Sequence, residues 1–188
     1  SIKENVYKLY ELTKDENIDV LINNAGFGLF GDFNKTDLEK EIAMINVNIV
    51  AFHILAKLFL IDFTKRNSGY ILNVASSAAF LPGPLMASYY ATKAYVLNLT
   101  SAISEELRRS DSNVYIGCLC PGPVDTEFNR VAKCSFSIKG MDSCQVSKYA
   151  IDKISQVTKA ASTIAGGSGI RYTCQIQGQQ RYLFLEED

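Results

Sequence analysis

The 188-residue chain has one histidine and no tryptophan, and neither sign of charge dominates its sequence. Its 19 Lys and Arg residues stand against 20 Asp and Glu, a net charge of −1. A nucleic-acid-binding protein usually carries a concentrated basic patch, so this balance argues against that class. No apolar run approaches the roughly 18 residues of a membrane span, and the start lacks the basic-then-apolar pattern of a signal peptide. We therefore expect a cytoplasmic protein that binds no nucleic acid and has no membrane span.

The cysteines do not form the pattern of a disulfide framework. There are five of them, an odd number, in a chain long enough to bury its own core. Cys118 and Cys120 alternate on a predicted buried strand, but no second pair matches them, and His53 is the only histidine. We therefore predict reduced thiols and no metal site. His53 lies in a helical pattern and fits a packing or interface role better than that of a general base.

The apolar periodicity predicts long helices alternating with short buried strands. The hydrophobic share of 47% and charged share of 21% are typical of a soluble globular protein. Thr36 and Glu39 resemble a capping box that begins the second helix. Such alternation favours a parallel α/β sheet, in which ligands bind beyond the carboxyl ends of the strands. The predicted helices are 2–13, 37–66, 88–110 and 145–159, and the predicted strands are 18–22, 70–75 and 114–120.

Ser76, Tyr89 and Lys93 have a spacing that suggests chemistry. Tyr89 and Lys93, at positions i and i+4, lie on one face of a predicted helix. A lysine ammonium favours the phenolate and so lowers a tyrosine pKa from its usual value near ~10. A hydroxyl from the preceding loop could polarise a carbonyl that the tyrosine protonates. The set suits carbonyl–alcohol redox chemistry, although a Tyr-x-x-x-Lys pair alone is often just an exposed helix pair.

Two further motifs follow predicted strands, in a fixed order with these residues. Asn23-Asn24-Ala25-Gly26 follows the first strand, and Pro121-Gly122-Pro123-Val124-Asp125-Thr126 follows the third. With them, the chain resembles the short-chain dehydrogenase/reductase family from about Val6 to about Lys153. The resemblance implies a Rossmann-like parallel sheet flanked by helices. It also implies an NAD(P)-dependent oxidoreductase that interconverts a carbonyl and a secondary alcohol by hydride transfer.

The resemblance assigns roles to the catalytic residues. Tyr89 would be the acid–base catalyst, with Tyr90 as a weaker rival. Lys93 would lower the tyrosine pKa and bind the nicotinamide ribose. Ser76 would bind the substrate oxygen, with Ser77 as its rival.

Two asparagines compete for the family's fourth catalytic position, which kinks the long helix and binds a water in a proton relay. Asn48 fits the usual pattern better than Asn46 because small and apolar residues follow it. The nicotinamide and adenosine contacts implied by the resemblance are Asn23, Ala25, Gly26, Tyr89, Lys93, Pro121, Gly122, Val124 and Thr126.

The family's glycine-rich phosphate loop and its first strands are absent from this sequence. The choice between NAD and NADP therefore cannot be read. Without a helix N-terminus for the pyrophosphate, we expect these 188 residues alone not to bind a dinucleotide tightly. Two hypotheses follow: an oxidoreductase whose start precedes Ser1, or a truncated, non-catalytic chain with a structural or interaction role.

The same resemblance suggests the substrate and the assembly. The segment 134–141 lies where the family carries its substrate lid, and an apolar lining would favour a hydrophobic carbonyl or alcohol. The residues predicted for this lining are Phe27, Phe80, Leu81, Leu85, Phe128, Phe136, Ile138 and Met141. The long helices predict a homodimer or homotetramer, through Leu58, Phe59, Tyr95, Leu99 and Ile103.

The carboxyl-terminal part of the chain departs from the family pattern. We predict a partial Rossmann domain over 1–155 and a tail of uncertain structure over 156–188. Within the tail, Ala165–Gly169 is typical of a linker. The alternation over 170–176 and 182–185 predicts a hairpin.

Overall fold

A computed structural model of the chain describes residues 1–132, 134, 139–160, 170–176 and 179–185. Its main sheet has three parallel strands in the order β1 (Val20–Asn23), β2 (Tyr70–Val74) and β3 (Tyr115–Leu119). The register aligns Asn23 with Asn73 and Asn73 with Cys118, so the three strands end level with one another. The predicted Rossmann-like parallel sheet is thereby confirmed.

The helices and short elements follow the strands in alternation. The helices are α1 Ile2–Thr13, α2 Leu38–Ile45, α3 Phe52–Arg66, α4 Ala87–Arg109, α5 Phe128–Ala132 and α6 Ser143–Ala160. A π-helical turn, Asn46–Ala51, joins α2 to α3, and a 3₁₀ turn, Ser77–Phe80, precedes α4. Two minor pairs complete the described structure: parallel β4 Val124–Asp125 with β5 Met141–Asp142, and antiparallel β6 Ile170–Ile176 with β7 Gln179–Leu185.

The second helix begins one residue later than its predicted cap. Asp37 is the N-cap, and its carboxylate accepts from the amide of Lys40 at 2.9 Å. The Thr36 hydroxyl instead bonds to the Glu41 carboxylate and to the Phe33 carbonyl. The predicted capping box is therefore wrong, because Thr36 finds a buried acceptor that the local pattern does not reveal.

Two apolar clusters bind α3 and α4 to the same face of the sheet. They consist of Phe52, Ala56, Ala75, Val96, Leu97 and Cys120 near one end, and of Phe59, Phe63, Ile71, Leu107, Val114 and Ile116 near the other. Burying such aliphatic and aromatic groups supplies the main favourable term for the fold. Both helices are thus fixed along β2 and β3, which sets where their amino-terminal turns lie.

The continuous helical stretch Leu38–Arg66 is long and apolar enough, by length and composition, to cross a membrane. One such helix is weak evidence for a membrane span, because length and composition are its only grounds. The same stretch places Met44, Phe52 and Phe63 in the core, where they are at most 7% exposed. A core helix of a globular protein meets the same criterion.

The outward faces of α3 and α4 differ in part from prediction. Phe59 is 7% exposed and belongs to the core, so its assignment to an outer apolar face is wrong. Tyr95 packs against the first cluster, and its hydroxyl lies 2.7 Å from Nδ1 of the exposed His53. Leu58, Leu99 and Ile103 are half-buried, and the last two also pack against the core clusters.

The predicted carboxyl-terminal hairpin is confirmed. Its first strand has the predicted bounds, and its second begins at Gln179 rather than Tyr182. The predicted linker Ala165–Gly169 lies outside the described residues.

Candidate active site

A cavity of about 800 Å³ opens at the carboxyl ends of the three parallel strands. The ends of β1, β2 and β3 each contribute to its wall, as expected for an open parallel sheet. Eight of the predicted site residues line it: Gly26, Ser76, Tyr89, Lys93, Pro121, Gly122, Val124 and Thr126. Asn23, Ala25 and Asn48 are not part of the lining.

Tyr89 and Lys93 occupy the first two turns of α4 and are both buried, at 8% and 6% exposure. The Lys93 Nζ lies 5.8 Å from the centroid of the Tyr89 ring. It also donates to the carbonyl oxygen of Val74, at the end of β2, at 2.9 Å. The i, i+4 spacing therefore does bring the phenol and the amine to one face of the helix.

Burial, rather than the ammonium, governs how this pair titrates. Desolvation raises the pKa of Tyr89 to about 12, and a hydrogen bond from Ser76 acts in the opposite direction. Desolvation also lowers the pKa of Lys93 to about 8, although Cys118 and Cys120 act to raise it. The predicted lowering of the tyrosine pKa is therefore wrong for this structure. At neutral pH the phenol keeps its proton and can donate it.

Ser76 stands at the turn between β2 and the 3₁₀ segment. Its Oγ accepts from the amide of Ala78 at 3.2 Å and lies 3.5 Å from the carbonyl oxygen of Pro121. Its rival, Ser77, also lines the cavity. Ser76, rather than Ser77, is the serine whose side chain acts to lower the pKa of Tyr89.

Asn48 is 2% exposed and lies in the π-helical turn, whereas Asn46 is half-buried. Its Oδ1 accepts from the amide of Phe27 at 3.1 Å. Its Nδ2 donates to the Phe27 carbonyl at 2.9 Å and to Thr92 Oγ1 at 3.1 Å. Both amide hydrogens are thus engaged, so the side chain holds the loop after β1 in place.

Asn23 braces the sheet instead of facing the cavity. Its Nδ2 donates to Asn73 Oδ1 at 2.9 Å, and Asn73 Nδ2 donates to Thr100 Oγ1 at 2.9 Å. This chain of bonds joins β1, β2 and α4 through the half-buried amide of Asn23 and the fully buried amide of Asn73, which needs such partners. Asn24, the next residue, lines the cavity in its stead, while Ala25 is exposed.

The outer part of the cavity is mostly apolar. The Phe128 ring lies 5.1 Å from the Tyr89 ring, centroid to centroid, and Phe27 joins the same lining. Other predicted members do not: Phe80 packs into the core, and Leu81 and Leu85 are exposed. Met141, in β5, pairs with Val124 of β4. Phe136 and Ile138 lie outside the described residues.

One wall of the cavity, formed by α6, was not predicted from the sequence. Helix α6 contributes Val146, Ser147, Ala150 and Ile151 to the cavity. The periodicity predicts this helix but gives no sign of which face it turns to the site. Within the described part of the chain, no group of three or more His, Cys, Asp or Glu side chains is placed to hold a metal ion.

Comparison with known proteins gives a consistent result. Residues 2–134 match the family model of the short chain dehydrogenase. The chain is 32% identical over 167 residues to dehydrogenase/reductase SDR family member 4 of Bos taurus, covering 80% of this chain and 59% of that protein. It is 34% identical over 117 residues to dehydrogenase/reductase SDR family member 6 of Danio rerio, covering 61% and 47%.

A solved structure has the same fold. It is a short-chain dehydrogenase from Sphingobium yanoikuyae in complex with NADPH, with a TM-score of 0.73 and 28% identity. The superposition covers 82% of this chain and 59% of the other. The chain thus spans between 47% and 59% of the length of these three proteins.

Proposed function

Since the chain belongs to the short-chain dehydrogenase/reductase family, we propose that it carries the catalytic part of an NAD(P)-dependent oxidoreductase. The enzyme would interconvert a carbonyl and a secondary alcohol, with Tyr89 as acid and base. One observation carries this proposal: Ser76, Tyr89 and Lys93 line a single cavity at the strand ends, and two of them are buried there.

The residues present fit the nicotinamide half of such a cofactor. The buried Lys93 amine has two hydrogens beyond the one given to Val74, and these suit ribose hydroxyls. Gly26 lines the cavity with backbone alone, and a side chain there would be crowded, since an added Cβ would lie 3.0 Å from Asn48 Oδ1. Pro121 and Gly122 would approach the carboxamide. The bound cofactor, either NAD or NADP, supplies or accepts the hydride.

The chain's own groups would handle the proton. In reduction, the protonated Tyr89 phenol donates to the carbonyl oxygen, while the Ser76 hydroxyl holds that oxygen in place. Lys93, with a pKa of about 8, is mostly charged at neutral pH and stabilises the phenolate that forms. The apolar lining keeps water away from this exchange.

The same lining supports a hydrophobic substrate. Phe27, Met86 and Phe128 face the cavity beside Tyr89 and would pack against an apolar substituent of the carbonyl carbon. We further propose a cytoplasmic homodimer or homotetramer that pairs the outer faces of α3 and α4. Leu58 is half-buried there, and Leu99 and Ile103 pack against the core clusters while staying partly exposed. Light scattering on the folded protein tests the assembly, and a monomer at micromolar concentration would contradict it.

Tyr89→Phe tests the proposed catalytic role. The change removes one hydroxyl and should lower the rate of carbonyl reduction by roughly 10²–10⁴-fold without unfolding the protein. Tyr90→Phe is the matched control, because it removes the same group from the neighbouring residue and should keep most of the rate. The assay follows NADH and NADPH oxidation by the full-length protein with acetophenone and cyclohexanone. Similar rates for both variants would refute the assignment, and a folded wild-type protein that neither binds cofactor nor turns over would favour the non-catalytic alternative.

A further inference from the structure

Thr92 links two of the proposed catalytic residues, Tyr89 and Asn48, without lining the cavity. It is 1% exposed on α4. Its hydroxyl donates to the carbonyl oxygen of Tyr89 at 2.7 Å and accepts from Asn48 Nδ2 at 3.1 Å. A threonine hydroxyl has one hydrogen, so with that hydrogen given to Tyr89 its oxygen can only accept from Asn48.

This bond fixes which way the Asn48 amide points. With its NH₂ group held by Thr92, the Asn48 oxygen faces the amide of Phe27, and the second amide hydrogen reaches the Phe27 carbonyl. The loop after β1 is thus clamped on both backbone groups of Phe27. The preceding residue is Gly26, where a side chain would crowd the same groups: an added Cβ would lie 3.0 Å from Asn48 Oδ1 and 3.5 Å from Lys93 Nζ.

We propose that Thr92 is a positioning residue for the reaction: it locks the Asn48 amide to the turn of α4 that carries Tyr89. The inference rests on the proposed function. Through this lock, the loop that walls the cavity keeps a constant distance from the phenol. Misplacement by about 1 Å of groups that position a substrate can cost about 100-fold in rate, so a single hydroxyl outside the cavity can matter.

Three substitutions separate this role from ordinary packing. Thr92→Val keeps the shape but leaves an Asn48 N–H buried without its acceptor, which is costly. Thr92→Ser restores the hydroxyl. Thr100→Val is the matched control, because Thr100 is also on α4, is 2% exposed, donates to the Val96 carbonyl at 2.7 Å and accepts from a buried asparagine.

The experiment uses the full-length protein and two readouts. In Thr92→Val we expect kcat to fall by about 10- to 100-fold with little change in KM, and Thr92→Ser to recover most of it. Hydrogen exchange of the Phe27 amide, followed by NMR, should accelerate in Thr92→Val and stay slow in Thr100→Val and Thr92→Ser. This second readout needs no turnover. Should the valine variant not fold, Thr92→Ala carries the same comparison.

Two results would overturn the inference. One is a Thr92→Val protein with wild-type kcat and wild-type exchange at Phe27. The other is an equal loss in Thr92→Val and Thr100→Val on both readouts, which would mean a general packing effect. A failure of the proposed function is seen separately, as a folded wild-type protein that reduces no carbonyl or a Tyr89→Phe variant with normal rates. The positioning role of Thr92 would then be refuted as well.

Discussion

Replacing Lys93 by methionine should make the fold more stable near neutral pH, although it removes a proposed catalytic group. The amine is 6% exposed, and burial lowers its pKa from 10.5 to about 8. At pH 7 the folded protein therefore holds a charge in an environment that disfavours it. Methionine fills a similar volume with an apolar chain and carries no such cost.

The size of this stability difference, and its dependence on pH, follow from the difference between the Lys93 pKa values in the folded and unfolded states. Below about pH 8 the amine is charged in both states, and the folded state bears the whole penalty, about 3 kcal/mol. Between about 8 and 10.5 the unfolded state binds the extra proton, so wild-type stability rises with pH. The variant also loses the hydrogen bond from Lys93 to the Val74 carbonyl, which reduces its gain in stability by about 1 kcal/mol. We thus expect the variant to be about 2 kcal/mol more stable at pH 7 and to lose this advantage toward pH 10.

Urea denaturation of both proteins across this pH range measures the difference directly. Lys57→Met is the control, because Lys57 is exposed on α3 and its removal should leave the wild-type pH dependence unchanged. A Lys93→Met variant that is less stable than wild type at pH 7, with a difference that does not change with pH, would refute the reasoning. It would mean that the amine is charged without cost in the folded protein.

Two further predictions concern stability. Gly69→Ala should cost about 3 kcal/mol, because Gly69 has φ +144° and an added Cβ would lie 2.4 Å from the ring of the buried Phe63; a loss below about 1 kcal/mol in urea denaturation would contradict this. Glu41→Ala should cost about 1–3 kcal/mol, because the buried carboxylate accepts from Thr36 and from Ser88 at 2.7 Å. The exposed Glu39→Ala control should stay within about 0.5 kcal/mol of wild type, and equal losses would count against the buried bonds.

The sequence predicts the main elements of this fold because their signals are local. Helix α1 has the predicted bounds, and the structure adds a capping box between Ser1 and Glu4 at its start. The predicted bounds of the three parallel strands lie within about two residues of the observed ones, because short apolar runs between turn residues mark them. The strand-end motifs then converge on one cavity because parallel strands end at one edge of a sheet.

Features that depend on tertiary environment were not predictable. The periodicity alone predicts one regular helix where the π-helical turn Asn46–Ala51 lies, and only the family resemblance indicates an irregularity at Asn46 or Asn48. The direction of the Tyr89 pKa shift depends on burial, which residue spacing does not encode. The contribution of α6 to the cavity and the bonds of Thr92 arise from contacts between residues distant in sequence, such as the pair Thr92 and Asn48.

Transfer of a labelled hydride tests the central claim most directly. The full-length protein is incubated with acetophenone and with NADH or NADPH carrying deuterium at the transferable position, and the alcohol product is analysed by mass spectrometry. The account predicts deuterated alcohol from the wild-type protein and from Tyr90→Phe, and almost none from Tyr89→Phe. Deuterated product formed equally well by Tyr89→Phe would contradict the role of that phenol. A folded, cofactor-bound wild-type protein that transfers no deuterium to any apolar ketone would contradict the proposed oxidoreductase itself.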